Sequence, residues 1–561
     1  MNALSTLADT PASSGAQSSG LTVARAGSAR LLYALLGLLF AIHVSMALGR
    51  SINWDEFWFY NQIQVVARRE FIQPLQTIHT RFFAPWLPNL PGSEIDHILI
   101  ARFFMLACLA VTSASIYAIV VAFSTGRTAL LVTAAYLGAG FVLQHGTSFR
   151  VDPIVTAFLS VGLAIAARTR LSIPAIIALG LTIGIAAMVT IKMVLWAPAF
   201  AGMALWRWQD EGWDWRYPLR WLGAGGIALL VFGGLYLLHG TGGNEAAAAS
   251  ASGTLNRSAG KMFGFLSSPN LDMALKAITT GLPLAIMAAL VPWKALAIDV
   301  NRTRRIAILA MWLPALTPLY YYNSYPYFFA FILPPVAITC AFVLPMFVDR
   351  YGQTLVAAAI AGSALMVWTV DARGITHHQR QLNTAVHQSF PEPVRYFDCC
   401  GMIATFTKEN DFRTSWGIEK YLRANRPTLL ERMREVPVPL LLDNKREFAG
   451  ADGIVNARTL HPEDAAALAN TYIRLWGDIF VAGRKLPPAA MSEWEVLVPG
   501  AYRIDGMITI NGNVHADGTV VELPRGDILL ENRGDVDARI IWGVHTREPQ
   551  LEEPDLYWTS F

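Results

Sequence analysis

The chain has 561 residues, of which 54% are hydrophobic and only 15% are charged, and its formal net charge is +3. Soluble globular proteins carry about 25% charged residues, so this composition excludes a single water-soluble core, a fibrous protein and a disordered chain. The apolar residues fall in separate runs of about 15–25 residues, the length of a helix that crosses about 30 Å of hydrocarbon. The sequence therefore predicts a polytopic α-helical membrane protein with a soluble part.

The net charge is unevenly distributed along the chain. Residues 1–370 hold 23 Lys and Arg against 14 Asp and Glu, a balance of +9, whereas residues 371–561 hold 21 against 27, a balance of −6. The positive part is apolar, and the negative part has the composition of a soluble domain. Neither part has the clustered basic face of a nucleic-acid-binding protein, so we expect no nucleic-acid partner.

The N-terminal part divides into a tail and a membrane domain. Residues 1–30 are rich in Ala, Ser, Thr and Gly and predict a disordered tail. Residues 31–370 then predict a membrane domain with about eleven spans. The predicted spans lie near residues 31–49, 97–123, 128–144, 153–167, 172–189, 193–206, 221–238, 278–293, 306–320, 327–348 and 354–370.

The distribution of basic residues predicts the orientation of these spans. One set of loops is the richer in Lys and Arg, for example at Arg302, Arg304 and Arg305. Such loops face the cytoplasm in most membrane proteins. With an odd number of spans, the N-terminal tail is then cytoplasmic and residues 371–561 lie outside. We expect a multi-pass protein of the bacterial inner membrane with a periplasmic C-terminal domain.

Two long loops are expected on the outer side, at 50–96 and 239–277. The first interleaves aromatic and charged residues, which is typical of helices that lie in the membrane interface. The second contains a stretch of small residues and predicts a lid or a loose connector.

Residues 371–561 predict an α+β domain with a β-rich end. Helical patterns cover 416–435 and 462–480, and strand patterns cover 436–443 and several runs after 494. The dipeptides Asn511-Gly512 and Asp517-Gly518 are typical of hairpin turns.

The four cysteines do not suggest a disulfide framework. Cys108 and Cys340 lie in apolar runs and are expected to be buried small hydrophobes. Cys399 and Cys400 are adjacent, and a disulfide between them stays open as an alternative to two thiols.

The most informative feature is the pair Asp55-Glu56, directly after the first predicted span and among aromatic residues. Carboxylates near the hydrocarbon are costly unless they are solvated or paired, and ionisable groups in that position are functional candidates. The alternative is a solvated start of the loop.

Other charged and aromatic residues are predicted at the same membrane level. Local ion pairs, a snorkelling lysine and an interfacial tyrosine belt are the plain alternatives. Cations beside carboxylates at a lipid surface, however, suit an anionic lipid headgroup next to a base. The candidates are His79, Arg81, Arg102, Arg150, Asp152, Lys192, Tyr320, Tyr325 and Tyr327.

The order of these motifs resembles a known family. Asp55-Glu56 follows span one, Arg102 lies early in span two, Arg150-Val-Asp-Pro opens span four, Lys192 lies between spans five and six, and YYNSYPYFFAFILPP marks span ten. This order resembles the GT-C superfamily of integral-membrane glycosyltransferases over residues 31–348. It is most similar to the branch of the protein O-mannosyltransferases and the lipid A aminoarabinose transferase. One departure is that Met193-Val194 follows Lys192, where that branch usually has Gly-Pro.

The resemblance implies an inverting glycosyltransferase that takes a sugar from a polyprenyl-phosphate donor and transfers it to lipid A, a polysaccharide, another lipid or a protein. It implies that Asp55 is the general base. Glu56 is the second catalytic candidate and is expected to orient an arginine or the sugar. Other roles follow from charge and position. The expected phosphate ligands are Lys192, Arg150, Arg81 and Arg102, and the expected substrate contacts are Asp152, His79, Tyr320, Tyr325 and Tyr327.

We expect no metal cofactor, with Mg²⁺ or Mn²⁺ on Asp55, Glu56 and Asp152 as the alternative. Beyond the donor and the acceptor, the expected partners are membrane lipids.

Two other functions stay open at this point. One is a transporter or flippase of lipid-linked sugars, although such proteins often show inverted repeats and the sequence shows none. The other is a non-catalytic membrane scaffold that binds glycan, which leaves the carboxylates and cations unexplained.

Overall fold

The computed structural model describes residues 15–70, 75–240, 270–445, 448 and 459–558. Most of the lid or connector predicted at 239–277 therefore lies outside the described residues, as do residues 1–14 of the predicted tail.

The helices are numbered here in chain order. Four short 3₁₀ segments interrupt or join them, at Leu87–Asn89, Ile191–Trp196, Leu313–Leu319 and Cys340–Phe342. The α-helices are α1 (Gly15–Gly49), α2 (Trp54–Ala67), α3 (Thr80–Phe83), α4 (Glu94–Val121), α5 (Gly126–Leu137), α6 (Gly140–His145), α7 (Val151–Arg168), α8 (Ile173–Val189), α9 (Ala197–Asp210), α10 (Arg216–Gly240), α11 (Leu271–Thr280), α12 (Leu282–Ala297), α13 (Arg302–Trp312), α14 (Pro326–Thr339), α15 (Leu344–Tyr351), α16 (Gln353–Val370), α17 (Ile375–Ser389), α18 (Ser415–Ala424), α19 (Thr428–Glu435) and α20 (Pro462–Thr471).

The polytopic helical architecture is confirmed, and each predicted span falls on a helix or on a broken helix. By length and composition, five helices in the described residues are long and apolar enough to cross a membrane, or up to seven spans if each bent pair counts as one. The five are Ala29–Gly49 of α1, α4, α7, α10 and α16. The bent pairs are α11 with α12, at 108°, and α14 with α15, at 54°.

Single long helices therefore do not account for all of the roughly eleven predicted spans, because several of those spans are interrupted. The predicted span 128–144 breaks at Gly138-Ala139, between α5 and α6. The span near 306–320 ends in a 3₁₀ segment that contains Pro314 and Pro318. Proline lacks the backbone N–H that a helix uses as a donor, and glycine destabilises a helix because its backbone is more flexible in the unfolded chain. Irregular backbone at membrane depth is tolerated only where protein or a water-filled cavity surrounds it.

The first helix begins earlier than expected. Residues 15–30 belong to α1, where the sequence predicted a disordered tail. No proline lies between Pro11 and Pro74, so none interrupts the helix over residues 15–30. Extending an existing helix into alanine-rich sequence costs little free energy compared with starting a new helix.

The C-terminal α+β domain is confirmed and contains two sheets. The larger sheet has the order β10-β7-β12-β5-β3-β1-β2, with β4 also paired to β5, and the smaller has the order β6-β11-β8-β9. Strand β1 runs parallel to both β2 and β3, and the other described pairs are antiparallel. The strands are β1 (Arg395–Asp398), β2 (Thr407–Lys408), β3 (Leu440–Leu442), β4 (Tyr472–Trp476), β5 (Ile479–Leu486), β6 (Met491–Val496), β7 (Gly500–Asp505), β8 (Ile508–Ile510), β9 (Asn513–His515), β10 (Val520–Leu523), β11 (Gly526–Glu531) and β12 (Ala538–Trp542).

Two helix predictions in this domain need correction. The helix predicted over 462–480 ends at Thr471, because the aromatic and β-branched residues that follow form β4 and pair with β5. The helix predicted over 416–435 is two helices, α18 and α19, separated at Pro427.

The two predicted turns have different outcomes. Asn511-Gly512 joins β8 to β9, with φ of 48° and 85°, as expected for a tight hairpin. Asp517-Gly518 joins β9 and β10, which lie in different sheets, so it is a turn but not the turn of a hairpin.

Helix α17 connects the membrane helices to the sheets and packs on the start of α2. The Gln379 side chain accepts a hydrogen bond from the backbone N–H of Ile52 at 2.9 Å and donates one to its carbonyl at 2.8 Å. Asn383 donates to Glu94, the first residue of α4, at 2.9 Å. These contacts bring the C-terminal domain against the segment that precedes α2, the helix that carries Asp55.

Two glycines allow α8 and α10 to pack closely. A Cβ added at Gly180 would lie 2.6 Å from the Cβ of Ile227, and one added at Gly184 would lie 2.7 Å from the carbonyl oxygen of Ala228. Such small residues spaced by four are a common means of helix association in membranes.

We therefore expect Gly180→Leu to lower the free energy of unfolding by about 1–3 kcal/mol, because the added side chain separates α8 from α10. Gly226→Leu on α10 is the matched control, since a Cβ at Gly226 meets nothing within 4 Å. Thermal unfolding of the detergent-purified variants measures the difference, and equal midpoints for both would contradict the packing described.

Candidate active site

The first turn of α2 gives its two carboxylates different surroundings. Asn53 caps the helix, because its side chain accepts a hydrogen bond from the N–H of Asp55 at 3.0 Å. Glu56 completes the capping box by accepting from the N–H of Asn53 at 2.9 Å. The side chain of Glu56 is only 1% exposed, whereas that of Asp55 is 16% exposed. The two adjacent acids therefore have separate roles.

Glu56 forms a buried ion pair with Arg102 of α4. The Nη2 and Nε atoms of Arg102 donate to the two carboxylate oxygens at 2.7 and 2.8 Å, and the N–H of Phe149 donates to Oε2 at 2.7 Å. Burial acts to raise the pKa of Glu56, but Arg102 and the backbone N–H donors outweigh it and hold that pKa below its ordinary value. Glu56 is therefore a fixed anion.

The other hydrogen bonds of Arg102 are donated to backbone carbonyls. Its guanidinium nitrogens donate to Ala47 at 3.0 Å, to Arg50 at 2.9 Å and to Ser51 at 3.0 Å. The structure thus places Arg102, expected to bind phosphate, beneath the site rather than in it. The pair joins the end of α1, the start of α2, α4 and the residue that precedes Arg150.

Asp55 heads a line of alternating charges, which we call the charged row: Asp55, Arg150, Asp152 and Lys192. Arg150 donates from Nη1 to Oδ2 of Asp55, and its Nε lies 3.3 Å from Oδ2 of Asp152. Lys192 donates to Oδ1 of Asp152. These residues come from α2, the start of α7 and the 3₁₀ segment before α9, so the breaks in the helices bring them together.

Aromatic rings line one side of the charged row. The guanidinium carbon of Arg150 lies 3.5 Å from the ring centroid of Tyr327, and Nζ of Lys192 lies 5.5 Å from it. Both distances allow cation–π attraction. Tyr325 stacks on Tyr327 with centroids 5.9 Å apart. Tyr320 and Tyr327 both pack against the apolar core.

Arg81 and His79 lie outside the charged row. Arg81 donates from Nε to Nδ1 of His239, at the end of α10, at 2.7 Å, and from Nη2 to the carbonyl of that residue at 3.0 Å. Thr77 also contacts Nε2 of His239, at 2.8 Å. Arg81 therefore binds to α10, and sequence reasoning gave no sign of His239 as its partner.

His79 is buried between Phe59 and Phe149, with ring centroids 4.9 and 6.1 Å away. Neither ring nitrogen has a hydrogen-bond partner among the described residues. Burial, and then the charge of His239, lower its pKa to about 3. His79 is thus neutral at physiological pH. Its ring contacts Phe149, which precedes Arg150 in the chain, so His79 lies near the charged row.

Sequence reasoning missed an ion pair beside this site. Arg50 follows α1 and pairs with Asp371, which follows α16. Gln144 of α6 also donates to Asp371, at 3.0 Å. The sequence does hold a signal for this pair. Two residues of opposite charge directly follow two spans that are predicted to end on the same side of the membrane. The pair ties the first and the last membrane helix together next to the charged row.

The donors for Mg²⁺ or Mn²⁺ do not converge here. Glu56 faces Arg102, while Asp55 and Asp152 face Arg150 and Lys192. In the part of the chain that the structure describes, no three carboxylate, imidazole or thiol groups of this region approach one another as metal ligands do. These residues do not fit a divalent ion, so no step below uses one.

Comparison with known proteins identifies a solved structure of similar fold. No family model matches the chain, and no curated protein matches its sequence. The solved structure of ArnT from Cupriavidus metallidurans, bound to undecaprenyl phosphate, is similar with a TM-score of 0.56 at 12% identity, over 81% of this chain and 97% of that chain. The archaeal oligosaccharyltransferase AglB from Archaeoglobus fulgidus, with an inhibitory peptide and a dolichol-phosphate, gives 0.48 at 10% identity, over 91% and 95%. That second similarity is too weak to support a conclusion.

The chain therefore has the same fold as ArnT. The resemblance that the motifs predicted is confirmed at the level of the fold. The sequence identity is too low for the activity of ArnT to follow from it.

Loss of the buried cation should destabilise the protein strongly. We expect Arg102→Met to lower the free energy of unfolding by about 3–5 kcal/mol, since it leaves Glu56 buried without its partner. Arg380→Met is the control, because its pair with Asp96 is about one third exposed and such pairs contribute about 0–1 kcal/mol. Chemical denaturation of both variants tests the difference. A loss for Arg102→Met no larger than for the control would argue against the ion pair as an anchor.

His79 should make stability depend on pH. Its pKa is lowered from 6.5 to about 3 in the folded protein. Below 6.5 the unfolded chain binds the proton and the folded chain does not, so stability falls as the pH falls from 6.5 towards 3. His79→Phe should flatten this part of the profile of unfolding midpoint against pH, and His545→Gln, at an exposed position, should not. Parallel profiles for wild type and His79→Phe would contradict the burial of a neutral imidazole.

Proposed function

We propose that this chain is an inverting glycosyltransferase that moves a sugar from a polyprenyl-phosphate donor to an envelope acceptor, which is a glycan, a lipid or a protein. The observation that carries the proposal is the charged row, in which the partly exposed carboxylate of Asp55 contacts Arg150, while Asp152 pairs with both Arg150 and Lys192. The GT-C fold supports the same conclusion, because the similar ArnT structure holds undecaprenyl phosphate.

Asp55 is the general base in this proposal. Arg150 contacts its Oδ2, and no hydrogen bond from the described residues reaches Oδ1. The acceptor hydroxyl gives its proton to this carboxylate as its oxygen attacks the anomeric carbon. The new bond forms opposite the bond to phosphate, whose electron pair leaves with the phosphate oxygen. A single displacement of this kind inverts the anomeric configuration.

Arg150 and Lys192 stabilise the leaving phosphate. Both are paired with Asp152, which holds them side by side before the donor arrives. A guanidinium binds two phosphate oxygens at once, and charge that develops on the leaving group is the charge that a preorganised cation stabilises. Tyr327 lies under both cations and, with Tyr325, forms a wall for the sugar or for the first part of the lipid. Arg81 and Arg102 have no role at the phosphate in this proposal, since Arg81 lies outside the charged row and Arg102 lies beneath the site.

The proposal includes a division of the chain. Residues 31–370 form the catalytic membrane domain, and residues 371–561 form a periplasmic domain that lies against the site through α17. Glu56 is a positioning residue, because it acts through Arg102 and the N–H of Phe149. The charged row then faces the periplasm, on the outer side of the bacterial inner membrane.

Replacement of the proposed base should abolish transfer but not donor binding. We expect Asp55→Asn to lower kcat by about 10²–10⁴-fold, the usual contribution of a general base. Asp349→Asn, at an exposed position of α15, is the matched control and should keep full activity. The assay uses purified protein, extracted polyprenyl-phosphate sugars and a panel of envelope acceptors, with binding of the labelled donor measured in parallel.

The outcomes of this experiment separate the functions. Equal transfer by wild type and Asp55→Asn would remove Asp55 as the base while keeping the enzyme class. Donor binding by wild type without transfer to any acceptor of a complete panel would favour a transporter of lipid-linked sugars. No donor binding at all would overturn the proposal.

A further inference from the structure

A second cluster of chemically reactive groups lies in the C-terminal domain, at the carboxyl ends of two parallel strands. Asp398 ends β1, and Cys399 and Cys400 follow it directly. Asn444 lies two residues after β3, which pairs with β1 in parallel register from Tyr396 opposite Leu440 to Asp398 opposite Leu442. Because the carboxyl ends of parallel strands meet at one edge, the loops that follow β1 and β3 face each other.

The ligand atoms of this cluster lie close together. One carboxylate oxygen of Asp398 and the two sulfurs of Cys399 and Cys400 are all within 4.8 Å of one another, and all three residues are buried. Zinc with thiolate ligands has Zn–S bonds of about 2.3 Å, which places tetrahedral ligands about 3.5–3.8 Å apart. The spacing therefore needs only small side-chain movements to close around an ion.

Backbone contacts orient the carboxylate. The N–H groups of Gly401 and Met402 donate to Oδ2 of Asp398 at 2.9 and 2.6 Å. Its other oxygen, Oδ1, lies 4.0 Å from the sulfur of Cys400. The amide oxygen of Asn444 lies 3.3 Å from the sulfur of Cys399 and offers a fourth donor. Hydrogen bonds that hold a ligand in place are a usual feature of metal sites.

The charge of the cluster suits a divalent ion. Two thiolates and a carboxylate carry three negative charges in a buried place. Lys408 of β2 lies beside the cluster and donates to the backbone carbonyls of Asn410 and Asp411. A cation bound by the three groups would offset their negative charge, which is costly to bury alone. Thiolates together with a carboxylate oxygen are among the ligands that Zn²⁺ binds in proteins.

We propose that Asp398, Cys399 and Cys400 bind one Zn²⁺, with the amide oxygen of Asn444 or a water molecule in the fourth position. On binding, both thiols lose their protons to solvent and their sulfurs form bonds to the ion, as in other thiolate sites of zinc. The proposal is independent of the proposed sugar transfer.

The position of the site gives the ion a structural role. Gly401 has a φ of +83° and packs so tightly on α2 that an added Cβ would lie 2.9 Å from the Cβ of Asn61. In the same region Phe412 stacks on Trp58 of α2, with ring centroids 5.7 Å apart. An ion that fixes the loop after β1 would therefore fix the surface on which α2 rests, and α2 carries Asp55.

A disulfide between Cys399 and Cys400 is the alternative that the sequence left open. All four cysteines are thiols in this structure. A disulfide would take both sulfurs out of metal binding, so the two alternatives exclude each other and the metal and mass measurements below separate them.

The test measures zinc in the full-length protein. Purified protein is stripped with a chelator, reloaded with Zn²⁺ and analysed for metal content, for wild type and for Cys399→Ser, Cys400→Ser and Asp398→Asn. We expect about one zinc per chain in wild type, less than about one tenth of that in the cysteine variants, and affinity lowered by about 10–100-fold in Asp398→Asn. Cys108→Ser, in α4, is the matched control and should retain the zinc.

Two measurements on wild type do not depend on the folding of variants. Cobalt substitution should give sulfur-to-metal charge-transfer bands, and X-ray absorption should count two sulfur ligands on the zinc. In addition, the chelator should lower the unfolding midpoint of wild type and of Cys108→Ser, but not that of Cys399→Ser/Cys400→Ser. An intact mass lower by two hydrogen atoms, measured after removal of metal, would show the oxidised disulfide instead. Zinc that persists in both cysteine variants, or that never binds to wild type, would overturn the proposal.

Discussion

The buried pair of Glu56 and Arg102 is the interaction on which the rest of the site depends. It lies under the first turn of α2 and reaches four separate parts of the chain. Arg102 holds the last carbonyls of α1 and the loop that follows, while Glu56 holds the N–H of Phe149. Because these contacts are made by charged groups away from solvent, each is costly to lose. Asp55 precedes Glu56 in the chain, and Arg150 follows Phe149. The ion pair therefore determines where both of these residues lie.

The interrupted helices have a related purpose. A continuous apolar span offers no place for four charged side chains at its end. Here α6 is short, the segment before α9 is 3₁₀ helix, and the loop before α7 is buried. The freed backbone groups are satisfied within the protein, since lipid cannot satisfy them. The breaks that make the spans hard to count are therefore the same breaks that bring Arg150, Asp152 and Lys192 together.

Much of this arrangement could be predicted from the sequence, because hydropathy and the order of charged motifs are local signals. The helical membrane architecture, the α+β domain and the hairpin at Asn511-Gly512 were found in this way. Asp55, Arg150, Asp152, Lys192 and Tyr327 were expected at one membrane level, and the structure brings them into contact.

The partners of other residues could not be predicted, because they depend on long-range packing. The contact of Arg81 with His239 joins residues 158 positions apart, and the enclosure of Arg102 depends on carbonyls about 50 positions away. Sequence pattern identifies which residues are charged but not which charge each one meets. The strand β4 was missed for a similar reason, since its pairing with β5 outweighs the helical pattern that continues from α20.

The charged row is neutral as a whole, and this has a consequence for selectivity. Two anions and two cations alternate, so the charged row presents only a weak electric field to ions that diffuse past. A small free anion must break an existing ion pair and gains little in exchange. In the proposed function, a phosphate carried on a lipid would reach the site at a high effective concentration, since the membrane confines it to two dimensions. Discrimination of this kind needs no pocket for the lipid tail, because confinement to two dimensions already favours the anchored ion over the dissolved one.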